Sequence, residues 1–266
     1  MTGVLLAIAV ALPGTQEQLD VRFKGRAYVE SGYISSSGRL SYTKPVAEQT
    51  GILSVSYKNL GTLATDFWIG SALNNETDAT HRRAFYCYEG TLTYGNEYSF
   101  TDTMAAKAWG GIIWDWLGGY KKDVGTQIGW ITEWSFQNPI VTPYMNWLGF
   151  FEESTWIRAR FGLRRSFKVC ESVTITPYVD AVWGDSARYR SNFGSDIDGT
   201  FLGGALMCTI FGAAAEWHFA EHFFLWGRYR QYALIDSDAR NLVKESSAAT
   251  ARCEMSVFGL GLGCQF

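Results

Sequence analysis

The stretch that decides the fold is the end of the chain, Cys253-Glu-Met-Ser-Val-Phe-Gly-Leu-Gly-Leu-Gly-Cys-Gln-Phe266. Counting back from Phe266, the alternate positions Cys264, Leu262, Leu260 and Phe258 are apolar, while Gln265, Gly263, Gly261 and Gly259 between them are polar or small. A period of two places these sets on opposite faces of one extended strand. The strand has a greasy face and a nearly bare one.

An alternating strand that closes its chain on Phe resembles the C-terminal signature of bacterial outer-membrane β-barrels. The resemblance implies a closed cylinder in the bacterial outer membrane, in contact with the lipid bilayer and lipopolysaccharide. It also implies that Phe258, Leu260, Leu262 and Phe266 form the signal by which the barrel assembly machinery reads the last strand. An edge strand of a soluble β-sandwich can end the same way, so the rest of the chain has to decide.

Composition agrees with a barrel without requiring one. The 266 residues carry 23 basic and 26 acidic side chains, net −3, which leaves no nucleic-acid footprint. Mean hydropathy is −0.07, and no apolar run is long enough for a spanning helix. Aromatics reach 16 % and glycine 28 residues against 5 prolines. Lipid-facing and interior positions alternate in a barrel and average to such values. The aromatic excess fits interface girdles, with Trp114, Trp116, Trp130, Trp134 and Trp147 as candidates. Five cysteines at 87, 170, 208, 253 and 264 have no C-x-x-C spacing, so neither a cysteine metal site nor a disulfide is assigned. No cofactor or metal is expected.

Residues 1–20 read as a truncated secretory signal or an N-terminal arm. Residues 1–12 look like the apolar core of such a signal, Ala9 and Ala11 have small-x-small spacing, and the positively charged front is missing. Residues 21–266 read as a single barrel domain. Two-fold alternation marks strands near 21–33, 52–59, 64–73, 84–94, 104–116, 124–136, 141–151, 155–169, 173–189, 200–219, 223–235 and 253–266. The fold class is therefore all-β: a closed antiparallel transmembrane barrel of about twelve strands in an up-and-down meander. The polar connections 34–51, 74–83, 190–199 and 236–250 are long, and 60–63, 170–172 and 220–222 are tight. Long and tight connections fall in alternate places, the asymmetry expected between the two sides of an outer membrane.

With the apolar face toward lipid, the other parity lines the interior. It carries basic runs at Arg22, Lys24, Arg26, at Arg158, Arg160, Arg164, and at Arg228, Arg230. Acids of the same parity are Glu89, Asp115, Glu133, Asp180 and Glu216. Trp68, Trp109 and Trp156 lean inward and narrow the bore. The interior reads either as a narrow porin-like channel for small solutes, anions among them, or as a plugged structural barrel whose arginines pair with Asp180, Glu216 and Glu133. The alternative class is an outer-membrane hydrolase. A phospholipase needs Ser and His together on the outer-leaflet wall, and His218, beside Glu216, has interior parity, as its place near the turn at His222 also disfavours. An omptin-like protease needs acid and His at the rim, where Asp78 and His81 are only a loose echo. The loop pairs Asp196/Asp198 and Asp236/Asp238 are positioned for divalent cations bridging lipopolysaccharide, although paired loop carboxylates are usually just solvated.

Overall fold

The structure, a computed structural model, describes residues 19–34, 41–42, 44–57, 60–73, 85–119, 126–151, 157–184, 205–237, 240 and 253–266. Twelve strands make the wall: β1 Leu19–Glu30, β2 Val46–Tyr57, β3 Gly61–Ala72, β4 Phe85–Thr101, β5 Met104–Gly119, β6 Thr126–Gln137, β7 Thr142–Phe150, β8 Ile157–Arg164 continued as Phe167–Cys170, β9 Val173–Gly184, β10 Ala205–His218, β11 Phe223–Leu234 and β12 Glu254–Gln265. Each pairs antiparallel with its neighbours in the chain, and β12 pairs with β1, so the sheet closes on itself. The seam runs from Lys24↔Gln265 to Glu30↔Gly259. Phe23 and Phe266 complete it by exchanging both backbone hydrogen bonds at 2.9 Å. A short ladder between Tyr33–Ile34 and Ser41–Tyr42 lies outside the wall.

The meander follows from the connections. The short connections after β2, β4, β6, β8 and β10 join strands at one end of the cylinder, and the strand ends that border the longer connections lie at the other. Gly61, with φ of 101°, makes the β2–β3 turn, where a side chain would be strained. Asn138 makes the β6–β7 turn by accepting from the amides of Ile140 and Val141.

Two boundaries differ from the alternation pattern. β2 begins at Val46 rather than at 52, because Val46-Ala47-Glu48-Gln49 pairs with both β1 and β3. Glu48 points to the interior there, so its polarity does not mark a loop. β4 runs through Gly95-Asn96 to Thr101, and the turn is Asp102-Thr103. Gly95 sits in the ladder because Trp109 on β5 comes too close for a β-carbon. The expected signal segment up to 18, Asp78, His81, Trp156, Asp196, Asp198 and Asp238 lie outside the described residues.

One wall face is greasy and open, the other mixed and crowded. Leu260 is 68 % exposed and Phe258 61 %, whereas Val257 and Phe224, on the inner face, have no exposed surface. The aromatic and glycine excess now has a local cause. On the outer face Phe67 lies over Gly51, Trp114 over Gly90 and Trp130 over Gly149, each pair directly opposite across two strands. Such cross-strand aromatic cover repairs the packing that a bare glycine loses.

Candidate functional site

The interior is where the chemistry gathers, and it divides into three charged groups. The first spans β11, β12, β1, β2 and β3. Glu30, fully buried, accepts from Arg228 Nε at 2.8 Å and from Arg228 Nη2, and its second oxygen accepts from Arg230 Nη2 at 2.5 Å. Beside it Glu48 Oε2 accepts from Tyr28 OH at 2.8 Å and from Trp68 Nε1 at 2.7 Å. Tyr28 packs against Trp226 with ring centroids 4.5 Å apart, and the Arg228 guanidinium lies 5.0 Å from the Trp226 ring. Cation–π contact thus adds to the ion pairs.

This group exists because β12 offers almost nothing on its inner face. Gly259 stands opposite Glu30 and Arg228, Gly261 opposite Tyr28 and Trp226, and Gly263 opposite Arg26 and Phe224. The large side chains of β1 and β11 therefore lie across β12 and meet. A β-carbon at Gly259 would come within 2.9 Å of Glu30 Oε1 and 3.1 Å of Trp226. The bare face of the terminal stretch is the floor of the charged cluster.

The second group lies toward the tight turns. Glu216 on β10 accepts from Lys24 Nζ at 2.7 and 2.9 Å and from Arg26 Nη2 at 3.1 Å, reaching across β11 and β12 to β1. His218 Nε2 is 3.8 Å from the same carboxylate, and its ring packs on Phe224 at 5.2 Å. The third group belongs to β6–β9. Arg158 donates to Asn146 Oδ1 at 2.7 Å, Tyr144 OH donates to Asp180, and Arg160 Nε stands 3.9 Å from Asp180. Arg164 is 3.8 Å from Glu133 and 4.8 Å from the centre of the Tyr144 ring. Tyr178 on β9 lies opposite Gly212, which in turn faces Arg230 on β11, so it stands between the third group and the first.

The structure thus brings Lys24, Arg26 and Glu216 together, joins Arg160 to Asp180 and Arg164 to Glu133, and sets Arg228 and Arg230 on an acid the alternation had not singled out. Arg22 stays apart, paired with Asp20 at 2.6 Å near the turn end. Glu89 lies opposite Trp68 and Asp115 in the ladder, and the Asp115 side chain is outside the described residues. Glu30 and Glu48 are what sequence reasoning missed. Glu30 has the parity of Arg22, eight positions on, so extending that ladder would have found it. Glu48 had no such signal once β2 was started too late. Among the described residues no group of His, Cys, Asp and Glu is arranged to hold a metal ion.

No family model matches this sequence, and no curated protein does. Solved structures resemble the barrel only distantly. A KdgM porin aligns over 92 % of this chain and 99 % of its own, at 7 % identity and TM-score 0.46. An outer membrane channel from Pseudomonas putida F1 aligns over 96 % and 97 %, at 12 % identity and TM-score 0.48. The translocator domain of the autotransporter NalP from Neisseria meningitidis aligns over 100 % and 94 %, at 10 % identity and TM-score 0.43.

Proposed function

We propose that this protein is an integral outer-membrane barrel that acts as a narrow passive channel for small solutes, with the Glu30–Arg228–Arg230 cluster as its constriction. The reading rests on one observation: a sealed cylinder carries its apolar side chains outside and its ion pairs inside. In lipid an unpaired backbone group costs several kcal/mol, so only a closed sheet can span. Charges near the bilayer midplane are tolerated in a lumen and not against acyl chains. The tight-turn end then faces the periplasm and the long connections face outward toward lipopolysaccharide. Phe258, Leu260, Leu262 and Phe266 sit on the seam strand, the natural place for an assembly machinery to engage.

Small solutes fit this interior better than large ones, because aromatic rings and forked ion pairs already occupy part of it. In this reading the basic residues Arg22, Lys24, Arg26, Arg158, Arg160, Arg164, Arg228 and Arg230 line the path together with Glu89, Glu133, Asp180 and Glu216. A second reading, a plugged structural barrel, is favoured by the complete burial of Glu30 and near-complete burial of Trp226. Single-channel recording in planar bilayers separates the two. The channel reading expects small unitary conductance in the wild type and a several-fold increase in Trp226→Ala. Silence in both, with the barrel folded, leaves the structural reading. A hydrolase finds less support: His218 turns to the interior, and the acid beside it is already held by Lys24 and Arg26.

A further inference from the structure

The outer wall is not uniformly convex. Over β5–β9 it carries an open apolar hollow of about 760 Å³ between Trp134, Phe136, Met145, Phe161, Leu163 and Val179. Its floor is small: Ala106, Ala108 and Ala181 replace the bulky residues found elsewhere on this face. The volume lies in the range of sites that hold small ligands, about 300–1,000 Å³. Phe136 and Pro143 flank the tight turn at 138–141, so the hollow opens toward the turn end of the cylinder.

A cation follows the last lining residue of β8 toward the turn end. Two residues beyond Leu163, Arg165 sits at the break between the two pieces of β8, exposed, with its amide bonded to the Pro177 carbonyl at 3.2 Å. Its guanidinium lies 4.8 Å from the centre of the Phe167 ring, and Phe167 is opposite Ile175 on the outer face. Among the described strand residues, the other lysines and arginines have the interior parity. Among the described residues of the wall, Arg165 is thus a basic group offered outward beside the greasy belt, two residues from Leu163 on the edge of this hollow.

We propose that this hollow binds a single phospholipid of the periplasmic leaflet, with one acyl chain between Trp134 and Leu163 and the phosphate on Arg165. The inference rests on the membrane reading above. On a smooth convex wall, acyl chains slide past without preference. A chain in a recess lined by aromatic rings gains contact on several sides, and a guanidinium at the mouth forks onto phosphate oxygens. Stacking on Phe167 holds the guanidinium at that depth, as aromatic and basic anchors do at membrane interfaces. Basic pockets beside apolar spans are a recurring way to recognise lipid headgroups.

Native mass spectrometry of the detergent-folded barrel tests this, titrated with phosphatidylglycerol, phosphatidylethanolamine and a diacylglycerol of the same chains. One phospholipid is expected to remain bound to the wild type, and at equal lipid the bound fraction should fall at least five-fold in Arg165→Ala. Diacylglycerol retention should be weak and indifferent to that change. Phosphatidylglycerol brominated on its chains should quench Trp134 fluorescence in vesicles, read as the signal lost in Trp134→Phe. Lys168→Ala, with the interior parity, should bind as the wild type does. Equal phospholipid retention by wild type and Arg165→Ala, in barrels that insert into vesicles, overturns the site and leaves the membrane reading standing. Failure of the wild type to insert at all removes both.

Discussion

On the loop side of the interior, Glu30, Val46, Val257 and Leu234 keep at most 1 % of their surface exposed. On the turn side, Arg22, Glu97 and Arg164 keep between 42 and 76 % of their side-chain surface. Both halves carry inward charges, yet they differ in how far water reaches them. Glu30 is met by two guanidiniums at hydrogen-bond distance with no exposed surface, whereas the turn-side pairs range from 2.6 Å for Arg22–Asp20 to 3.8 Å for Arg164–Glu133 and stay open to water. A charge sealed from water must be paired within the protein, and one at a wet mouth need not be. The difference teaches where the interior is driest: at the glycine-floored cluster, not at the rim.

The sharpest way to break that contrast is to remove the acid from each half. Glu30→Ala leaves Arg228 and Arg230 facing each other without their carboxylate, and removing one partner of a buried pair costs about 3–5 kcal/mol. Glu216→Ala, nearer the turns and one-fifth exposed, should cost distinctly less, because water reaches Lys24 and Arg26. Urea unfolding of the barrel in lipid vesicles measures both. Equal losses would mean that the two halves are equally dry.

The outer wall is tested next. Leu260, opposite Val29 and Gly227, is 68 % exposed on the greasy face of β12. Leu260→Arg should destabilise the barrel in bilayers by about 2–4 kcal/mol if it lies near midplane, and by much less in detergent. A loss of the same size in both media would place this face against protein or water instead.

Glycines give the third test, since the cluster requires a bare floor. Gly261→Ala sets a β-carbon against the Tyr28 backbone and Cβ, so it should cost about 1–3 kcal/mol by overpacking. Gly227→Ala, on the outer face, meets nothing nearer than 3.9 Å and should be close to neutral. The same scan in vesicles reads the pair. If Gly261→Ala is also neutral, the cluster does not lie against β12.

These residues also measure what the sequence could disclose. Period-two alternation found twelve strands and their meander order, because both are local. It placed Glu48 in a loop, because a polar residue beside Gln49-Thr50-Gly51 looks like a turn until its partners Tyr28 and Trp68 are known. The partners of Arg228 and Arg230 were equally hidden. Glu30 is two strands away in space and 198 residues away from Arg228 in sequence. Which acid an inward arginine meets depends on strand stagger, and on the glycines that let neighbours reach across β12. Neither is encoded in the pattern of a single strand.

Arg164 separates stability from permeation at the wet end. Its side chain is 42 % exposed, its carboxylate partner is beyond hydrogen-bond distance, and it leans on Tyr144. Exposed pairs of this kind contribute about 0–1 kcal/mol, and solvent screening pushes this one toward the lower end. Arg164→Ala should therefore leave the unfolding midpoint nearly unchanged. Ion flow is another matter, because a fixed positive charge on the wall of a narrow path favours anions whether or not it stabilises the fold. Under a salt gradient, the reversal potential of Arg164→Ala should move toward cation preference relative to the wild type, and the shift should shrink as ionic strength rises. If the stability falls as far as in Glu30→Ala while the reversal potential stays put, Arg164 belongs to the sealed half after all, and the boundary between the two halves lies closer to the turns.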